Sequence, residues 1–270
     1  MKESIVKSIK SLPPLSKTIM DINRVYADPD SGVADMAQVI EKDPMVVANL
    51  LKAANSPLYG FAKEIKNVTQ AVSLFGLSTT RSIAIGNAVR KLLNVDMEPY
   101  GITSERFAEI SSMQAALARK WFAKIEKADA EMLHLMAFLQ ETGKILIASD
   151  IIQEDETIAF KSEIEHTNNI AQVEKSFVDT TTSIVSAMVF KHWKFDEDFV
   201  ETIKYADYPT QAPKEIAKMA QALHVVKTIV PVNKPFAEHS IILGLKKADS
   251  FGFDHEVLED CVDEMLEVMN

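Results

Sequence analysis

The chain has 270 residues, of which 47% are hydrophobic and 25% charged, a composition typical of a globular protein with a substantial core. Its formal net charge is -10, so the basic surface usual in nucleic-acid-binding proteins is not expected. Cys261 is the only cysteine, which excludes an internal disulfide, and no uncharged run of about 18 apolar residues could span a membrane. We therefore expect a cytoplasmic protein without membrane insertion.

Glycine is scarce and helix-forming residues are abundant, and no sustained alternation of polar and apolar residues indicates a strand. In the first hundred residues the pattern predicts successive helices over 1–11, 16–27, from a Ser31 cap to Lys42, over 44–54, up to a stop at Gly76, and on to Leu93.

The second part continues in the same way. Helices are predicted over 104–122, over 130–149 with a kink at Gly143, and over 151–165, 168–177, 182–192, 196–206, 212–229 and 255–269, with a loop at 230–236. The polar stretch NVDMEPYGI, which contains Pro99 and Gly101, separates the two parts. We predict an all-α fold with two packed halves, a helical bundle over 1–98 and a second half over 99–270.

The stretch KAANSPLYG, residues 52–60, follows a helix that begins at Asp43-Pro44, where aspartate caps the free amides and proline occupies the first helical position. Asn55 can bond the last carbonyls or adopt a left-handed turn, and Pro57 prevents Ser56 from continuing the helix. A nucleophilic Ser56 would need a base, and no histidine lies nearby. We therefore predict a structural role for this stretch.

Three segments, SLPPLSKTI, DPDSGVADMAQVIEKDPMVVANLLKAANSPLYG and IKNVTQAVSLFGLSTTRSIAIGNAV, resemble the HDOD family (HD-related output domain) of bacterial signalling proteins. The resemblance covers about residues 11–210 and implies structural hallmark positions at Asp43, Pro44, Asn55, Ser56, Gly76, Arg81 and Trp193. It also implies a helical fold similar to the HD superfamily of metal-dependent phosphohydrolases.

Enzymes of that superfamily hold one or two metal ions with histidine and aspartate, and the metal lowers the pKa of a bound water that attacks phosphorus. The positions that match those ligands hold Ile110, Gln140, Glu141, Thr182, Ala206 and Asp207. Only Glu141 and Asp207 keep a carboxylate, and two carboxylates do not make a convincing transition-metal site. We predict no bound metal, no cofactor and no catalytic residue, and a vestigial cleft around Ile110, Gln140, Glu141, Lys144, Thr182 and Asp207.

The six histidines do not rebuild a metal site, because no two of them are three or four residues apart. His134 lies on an apolar helix and is predicted to be a core histidine with a hydrogen-bond partner. His192 is expected to be half-exposed at a helix end, and the other four histidines are interpreted as surface residues.

Three functions are compatible with this pattern. The resemblance favours a non-catalytic signalling module that acts through protein contacts, with a partner from two-component, cyclic-dinucleotide or motility systems. The alternative is a degenerate hydrolase that still binds a nucleotide or another small molecule, for which Lys144 is the best phosphate contact unless it is an ordinary helix-surface lysine. An active phosphohydrolase would require metal.

Overall fold

The structure is a computed structural model that describes residues 1–59, 61, 63–93 and 96–269. These residues form helices and contain no β-strand, which confirms the predicted all-α class. The helices of the first part are α1 (Glu3–Lys10), α2 (Lys17–Ala27), α3 (Val33–Ile40), α4 (Pro44–Ala54) and α5 (Val68–Leu93). The second part contains α6 (Ser104–Ile125), α7 (Ala130–Leu139), α8 (Gly143–Gln153), α9 (Thr157–His166), α10 (Ile170–Val178), α11 (Thr182–His192), α12 (Glu197–Lys204), α13 (Lys214–Ile229), α14 (Glu238–Ser250) and α15 (His255–Met269).

Helix boundaries differ from the predictions at several places. The apolar stretch 130–149 forms two helices rather than one, because the chain turns at residues 140–142 before α8 begins at Gly143. Helix α8 then continues to Gln153, so the helix predicted from residue 151 begins only at Thr157. Helix α14 was not predicted at all. The predicted stop at Gly76 is a kink inside α5, where the backbone adopts φ 74° and ψ 170°.

The first part is built around α5, which packs against α2, α3 and α4. Helix α4 begins as predicted: Asp43 Oδ1 accepts hydrogen bonds from the amides of Met45 at 3.0 Å and Val46 at 3.3 Å, and Pro44 follows as the first helical residue. Arg81 links α5 to α2, because its Nε donates a hydrogen bond to Asn23 Oδ1 at 2.6 Å.

Asn55 follows the last residue of α4, and its side chain bonds both to that helix and to Ile65 further along the chain. Its Nδ2 donates to the carbonyls of Leu51 at 2.8 Å and Ile65 at 2.9 Å, and its Oδ1 accepts from the amide of Ile65 at 2.8 Å. The backbone is not left-handed here, because φ is -93°. Among the described residues, Ser56 Oγ accepts a single long bond, from Leu58 N at 3.4 Å. Asn55 therefore holds the turn to residue 65, while the structural role of the whole stretch stays a prediction, and its last residue, Gly60, lies outside the described residues.

The second part packs α6 against α7, α13 and α15, α8 against α11, and α13 against α14. Helix α1 packs on α8 and α11 of this part, and the loop after α1 is held by Trp193, whose Nε1 donates to the carbonyl of Pro13 at 2.9 Å. The two parts meet where α5 contacts α7, and Phe138 there packs so closely on Gly86 that a Cβ would lie 2.0 Å from its ring. No helix within the described residues is long and apolar enough to cross a membrane.

The boundary predicted between the halves includes residues 94 and 95, which lie outside the described residues. Its far end, the short helical turn Glu98–Tyr100, packs against α8 and α9, and Tyr100 is buried. The division at residue 98 stays a prediction.

Candidate functional site

Most of the predicted cleft residues meet inside the second part of the fold. Glu141 lies in the turn before α8, Lys144 in its first turn, Thr182 at the start of α11 and Asp207 after α12. These four side chains are at most 8% exposed and join one network of ion pairs and hydrogen bonds. Ile110 is also fully buried on α6, but it does not line the cavity next to that network.

Lys144 is the centre of this network. Its Nζ lies 3.1 Å from Glu141 Oε2, 2.8 Å from Glu174 Oε1 and 2.9 Å from Thr182 Oγ1. The side chain is buried, so the interpretation of Lys144 as an ordinary helix-surface lysine is wrong. An ammonium group taken out of water needs such partners, because an unpaired buried charge is strongly unfavourable.

Glu174 of α10 is the second buried carboxylate around Lys144. It was not predicted as a site residue. Its Oε2 accepts from the amide of Thr182 at 2.6 Å, and its Oε1 accepts from Thr182 Oγ1 at 2.5 Å and from the Tyr100 hydroxyl at 3.0 Å. The sequence carries a weak signal, since Glu174 stands four residues from both Ile170 and Val178 on one helix face. Glu174 therefore links α10, α11 and the turn at residue 100.

Asp207 and Lys227 form the second ion pair of the site. Lys227 Nζ of α13 lies 2.5 Å from Asp207 Oδ1 and 3.9 Å from Glu141 Oε1, while the amide of Ser183 donates to Asp207 Oδ2 at 2.9 Å. Lys227 was not predicted as a site residue. Glu141 thus lies between two ammonium groups, those of Lys144 and Lys227.

Gln140 joins the network through Gln114 of α6, which was also missed. Gln140 Nε2 donates to Gln114 Oε1 at 2.9 Å, and Gln114 Nε2 donates to Glu141 Oε1 at 3.1 Å and to the carbonyl of Val230 at 2.8 Å. Gln114 is fully buried one turn after Ile110, between apolar neighbours on the same helix face. A polar residue in the middle of an apolar stripe was the available signal.

Gly143 brings α8 and α11 close enough for these contacts. A Cβ on Gly143 would lie 2.4 Å from the carbonyl oxygen of Thr182 and 2.8 Å from the amide nitrogen of Ser186. The Gly143 amide donates to Ser186 Oγ at 2.8 Å, and the same hydroxyl donates to the carbonyl of Gln140 at 2.8 Å. Only glycine permits this approach, so Gly143 has a structural role that does not depend on metal.

The pKa values follow from this pairing. Burial alone would raise the pKa of Glu141 and Asp207, but the ammonium groups of Lys144 and Lys227 outweigh it and hold both pKa values below the ordinary range. Burial alone would lower the pKa of the two lysines, but the surrounding carboxylates outweigh it and raise both. Glu141, Asp207, Lys144 and Lys227 are therefore all charged at neutral pH.

The histidines lie where predicted with one exception. His134 is buried, with its Nδ1 3.2 Å from Ser82 Oγ, and burial followed by the charge of Arg119 lowers its pKa to about 3. His192 is exposed at the end of α11. His224, interpreted as a surface residue, is instead partly buried next to the network, with its Nδ1 2.7 Å from the carbonyl oxygen of Ala206.

A cavity of about 650 Å³ opens beside the ion-pair network. Its wall includes Glu141, Lys144 and Asp207 from the predicted cleft, together with Lys227 and His224. Gln140 and Thr182 lie behind this wall and do not line it.

Comparisons with known proteins fit this fold. The model of the HDOD domain family matches residues 12–209, well over half of the chain, so the chain belongs to the HDOD family. An uncharacterised protein of Treponema pallidum (strain Nichols) is 23% identical over 215 residues, which are 78% of this chain but 40% of that protein. The chain therefore spans less than half the length of this relative.

Two solved structures show the same fold with different descriptions. A proposed phosphohydrolase from Shewanella amazonensis SB2B has a TM-score of 0.73 at 20% identity, over 97% of this chain and 94% of that one. A proposed signal transduction protein from Marinobacter aquaeolei VT8 has a TM-score of 0.74 at 19% identity, over 100% of this chain and 60% of that one. At these identities the likeness establishes the fold, and function has to be argued from the site.

The residues of the site do not fit the metal that the HD superfamily implies. Where that ligand set would lie, Ile110 and Ala206 have no donor atom and Gln140 is a poor ligand. The remaining carboxylates, Glu141 and Asp207, already pair with ammonium groups. Among the described residues, no group of three or more histidine, cysteine, aspartate or glutamate side chains is placed to hold a metal ion.

Proposed function

We propose that this chain is a non-catalytic regulatory module of bacterial signalling that acts through protein contacts. One observation carries the proposal: the ammonium groups of Lys144 and Lys227 supply the positive charge among the carboxylates of Glu141, Glu174 and Asp207. A metal ion in such a cleft would lower the pKa of bound water and produce a hydroxide nucleophile. A lysine ammonium group has no open coordination position, so it neutralises the carboxylates without activating water in that way.

The family supports the regulatory part of the proposal. HDOD stands for an output domain related to the HD enzymes, and a structure of the same fold is described as a proposed signal transduction protein. We expect the partner to be a signalling protein of the two-component, cyclic-dinucleotide or motility systems. Because the chain carries a net charge of -10, we expect no nucleic acid among its partners.

The catalytic question is tested by assaying the purified protein for phosphate release from a monoester and a diester, with Mg²⁺, Mn²⁺ and Fe²⁺ each added in turn. We expect no release above a buffer blank with any metal. Release that depends on one metal and disappears with a chelator would contradict the proposal. The partner question is tested by cross-linking in the native cell, where recovery of no reproducible partner would count against action through protein contacts.

The cavity of about 650 Å³ favours a second candidate function, the binding of a small molecule without its cleavage. Its volume lies within the ~300–1,000 Å³ usual for small-ligand sites. A ligand at about 100 times its dissociation constant stabilises the folded state by about 2.7 kcal/mol, so thermal denaturation with a panel of small molecules tests this candidate.

A further inference from the structure

The cavity beside the ion-pair network has a positive wall in an acidic protein. Its charged lining consists of Lys144, Lys227, Lys234, Lys247, Glu141 and Asp207. Four ammonium groups and two carboxylates give a formal charge of +2, or +1 when Glu174, which pairs with Lys144 behind the wall, is included, whereas the whole chain carries -10. A positively charged wall in a concave site concentrates anions, and a phosphate monoester carries the opposite charge, about -1.5 to -2 at neutral pH.

Among the described residues, Lys247, like the exposed Lys234, lacks an acidic partner, but Lys247 is partly buried. Within the described part of the chain no carboxylate pairs with it, and its Nζ contacts Nε2 of His224 instead. Burial first, and then the charge of Lys227, lowers the pKa of Lys247. An anion in the cavity would relieve both effects, because it would replace lost hydration and offset the repulsion between the two lysines.

The contact between Lys247 and His224 fixes which of their atoms donate hydrogen bonds and which accept them. A carbonyl oxygen only accepts hydrogen bonds, so His224 Nδ1 must carry the proton that is donated to the carbonyl of Ala206. His224 Nε2 is then a lone-pair acceptor in the neutral ring, and Lys247 donates to it. One of the three hydrogens of Lys247 is used in this way, which leaves two for a ligand.

The backbone places Lys247 in this position. Gly244 of α14 lies against Ile229 of α13 so closely that a Cβ would be 2.2 Å from Ile229 Cγ1. This approach puts Lys247, one turn further along α14, beside His224 and Lys227 of α13. The first turns of α10 and α14 also border the cavity, and the partial positive charge of helix N-termini adds to that of the lysines.

The rest of the wall suits the organic part of a ligand. Tyr208 and Phe251 contribute ring surfaces, and Ile170 and Leu243 contribute aliphatic surface. We propose that this cavity binds a small organic phosphate monoester with a flat ring, whose phosphate lies at Lys247 and Lys227. The inference deepens the second candidate function given above, and it places the recognition groups on α13 and α14 rather than at the former metal-ligand positions.

Titration calorimetry with adenosine monophosphate, inorganic phosphate and adenosine tests the proposal on the full chain. We expect adenosine monophosphate to bind more tightly than phosphate, and adenosine to bind weakly or not at all. The decisive variant is Lys247→Gln, with Lys246→Gln as its control, because Lys246 is the exposed neighbour on α14 that does not line the cavity. We expect Lys247→Gln to weaken binding about tenfold or more, and Lys246→Gln to change it less than about twofold.

Failure of binding by both adenosine monophosphate and phosphate would overturn the proposal, as would equal losses in the two variants. If Lys247→Gln does not fold, Lys234→Gln replaces it, since Lys234 is exposed and lines the cavity; a loss no larger than that of Lys246→Gln would then refute the site. The same samples are followed for phosphate release. Binding with release contradicts the non-catalytic proposal alone, whereas absence of both contradicts the cavity proposal alone.

Discussion

Lys144 and Glu174 form an ion pair with 2.8 Å between Nζ and Oε1, and both side chains are almost completely buried although they lie on different helices. With Glu141, Asp207 and Lys227 the pair makes a group of three carboxylates and two ammonium groups. Such a group is stable only while all its members are present, because removal of one leaves an uncompensated charge in the interior.

Substitution Lys144→Met should therefore lower the free energy of unfolding by about 3–5 kcal/mol, the usual loss when one member of a buried ion pair is removed. The measurement is urea denaturation at pH 7. Lys175→Met, at an exposed position next to Glu174, is the matched control and should change stability by less than about 0.5 kcal/mol. Equal effects of the two substitutions would show that the buried pairing is not what stabilises the site.

Gly143→Ala should destabilise the protein by about 1–3 kcal/mol, the range typical of overpacking, because the new Cβ would lie 2.4 Å from the Thr182 carbonyl oxygen. The control is Gly32→Ala, where the nearest atom to an added Cβ lies 4.0 Å away. The denaturation midpoints of the two variants are compared. A tolerated alanine at residue 143 would contradict the close contact between α8 and α11.

Asn55→Ala should cost about 1.5–4.5 kcal/mol, because it removes three hydrogen bonds to Leu51 and Ile65 at about 0.5–1.5 kcal/mol each. Ser56→Ala should be nearly neutral, since within the described part of the chain the Ser56 hydroxyl accepts one long bond. Thermal denaturation of both variants makes the comparison. A larger loss at Ser56 than at Asn55 would contradict the structural role assigned to this turn.

Stability should fall as the pH is lowered from 7 to 5. Burial and a neighbouring Lys247 lower the pKa of His224 to about 4, and burial and Arg119 lower that of His134 to about 3. The unfolded chain takes up protons on these rings below about pH 6.5 while the folded chain does not, so protonation favours unfolding. Each histidine contributes a loss of at most about 2 kcal/mol at pH 5.

This dependence is checked by urea denaturation at pH 7, 6 and 5. His134→Gln should remove a large part of the slope, and His255→Gln, at an exposed position, serves as the matched control. A free energy of unfolding that is constant over this range would show that His134 and His224 are not held neutral.

The start of α4 could be predicted from sequence because the signal is local: Asp43 caps the amides directly after it. The positions of Glu141, Lys144 and Asp207 could be predicted from the family spacing. Their partners Glu174 and Lys227 could not, because only the tertiary fold brings α10 and α13 to α8. For the same reason Lys144 was compatible with a surface position until its two carboxylate partners were known.

Helix α14 was missed for a different reason, a weak local sequence pattern. Ile241, Leu245 and Ala248 do repeat at helical spacing, but adjacent lysines and a glycine weaken the pattern. Since Lys247 lies on this helix, the unpredicted element also carries the lysine on which the cavity proposal rests.

The central claim is that lysine side chains, not metal ions, pair with the carboxylates of the cleft predicted from the family resemblance. Elemental analysis by mass spectrometry of protein purified without chelators tests it most directly, with manganese, iron, zinc and cobalt counted per chain. The account predicts that each metal is far below one atom per chain, before and after dialysis against Mn²⁺. One tightly held transition metal per chain that survives gel filtration and is lost in an Asp207→Asn variant would contradict it.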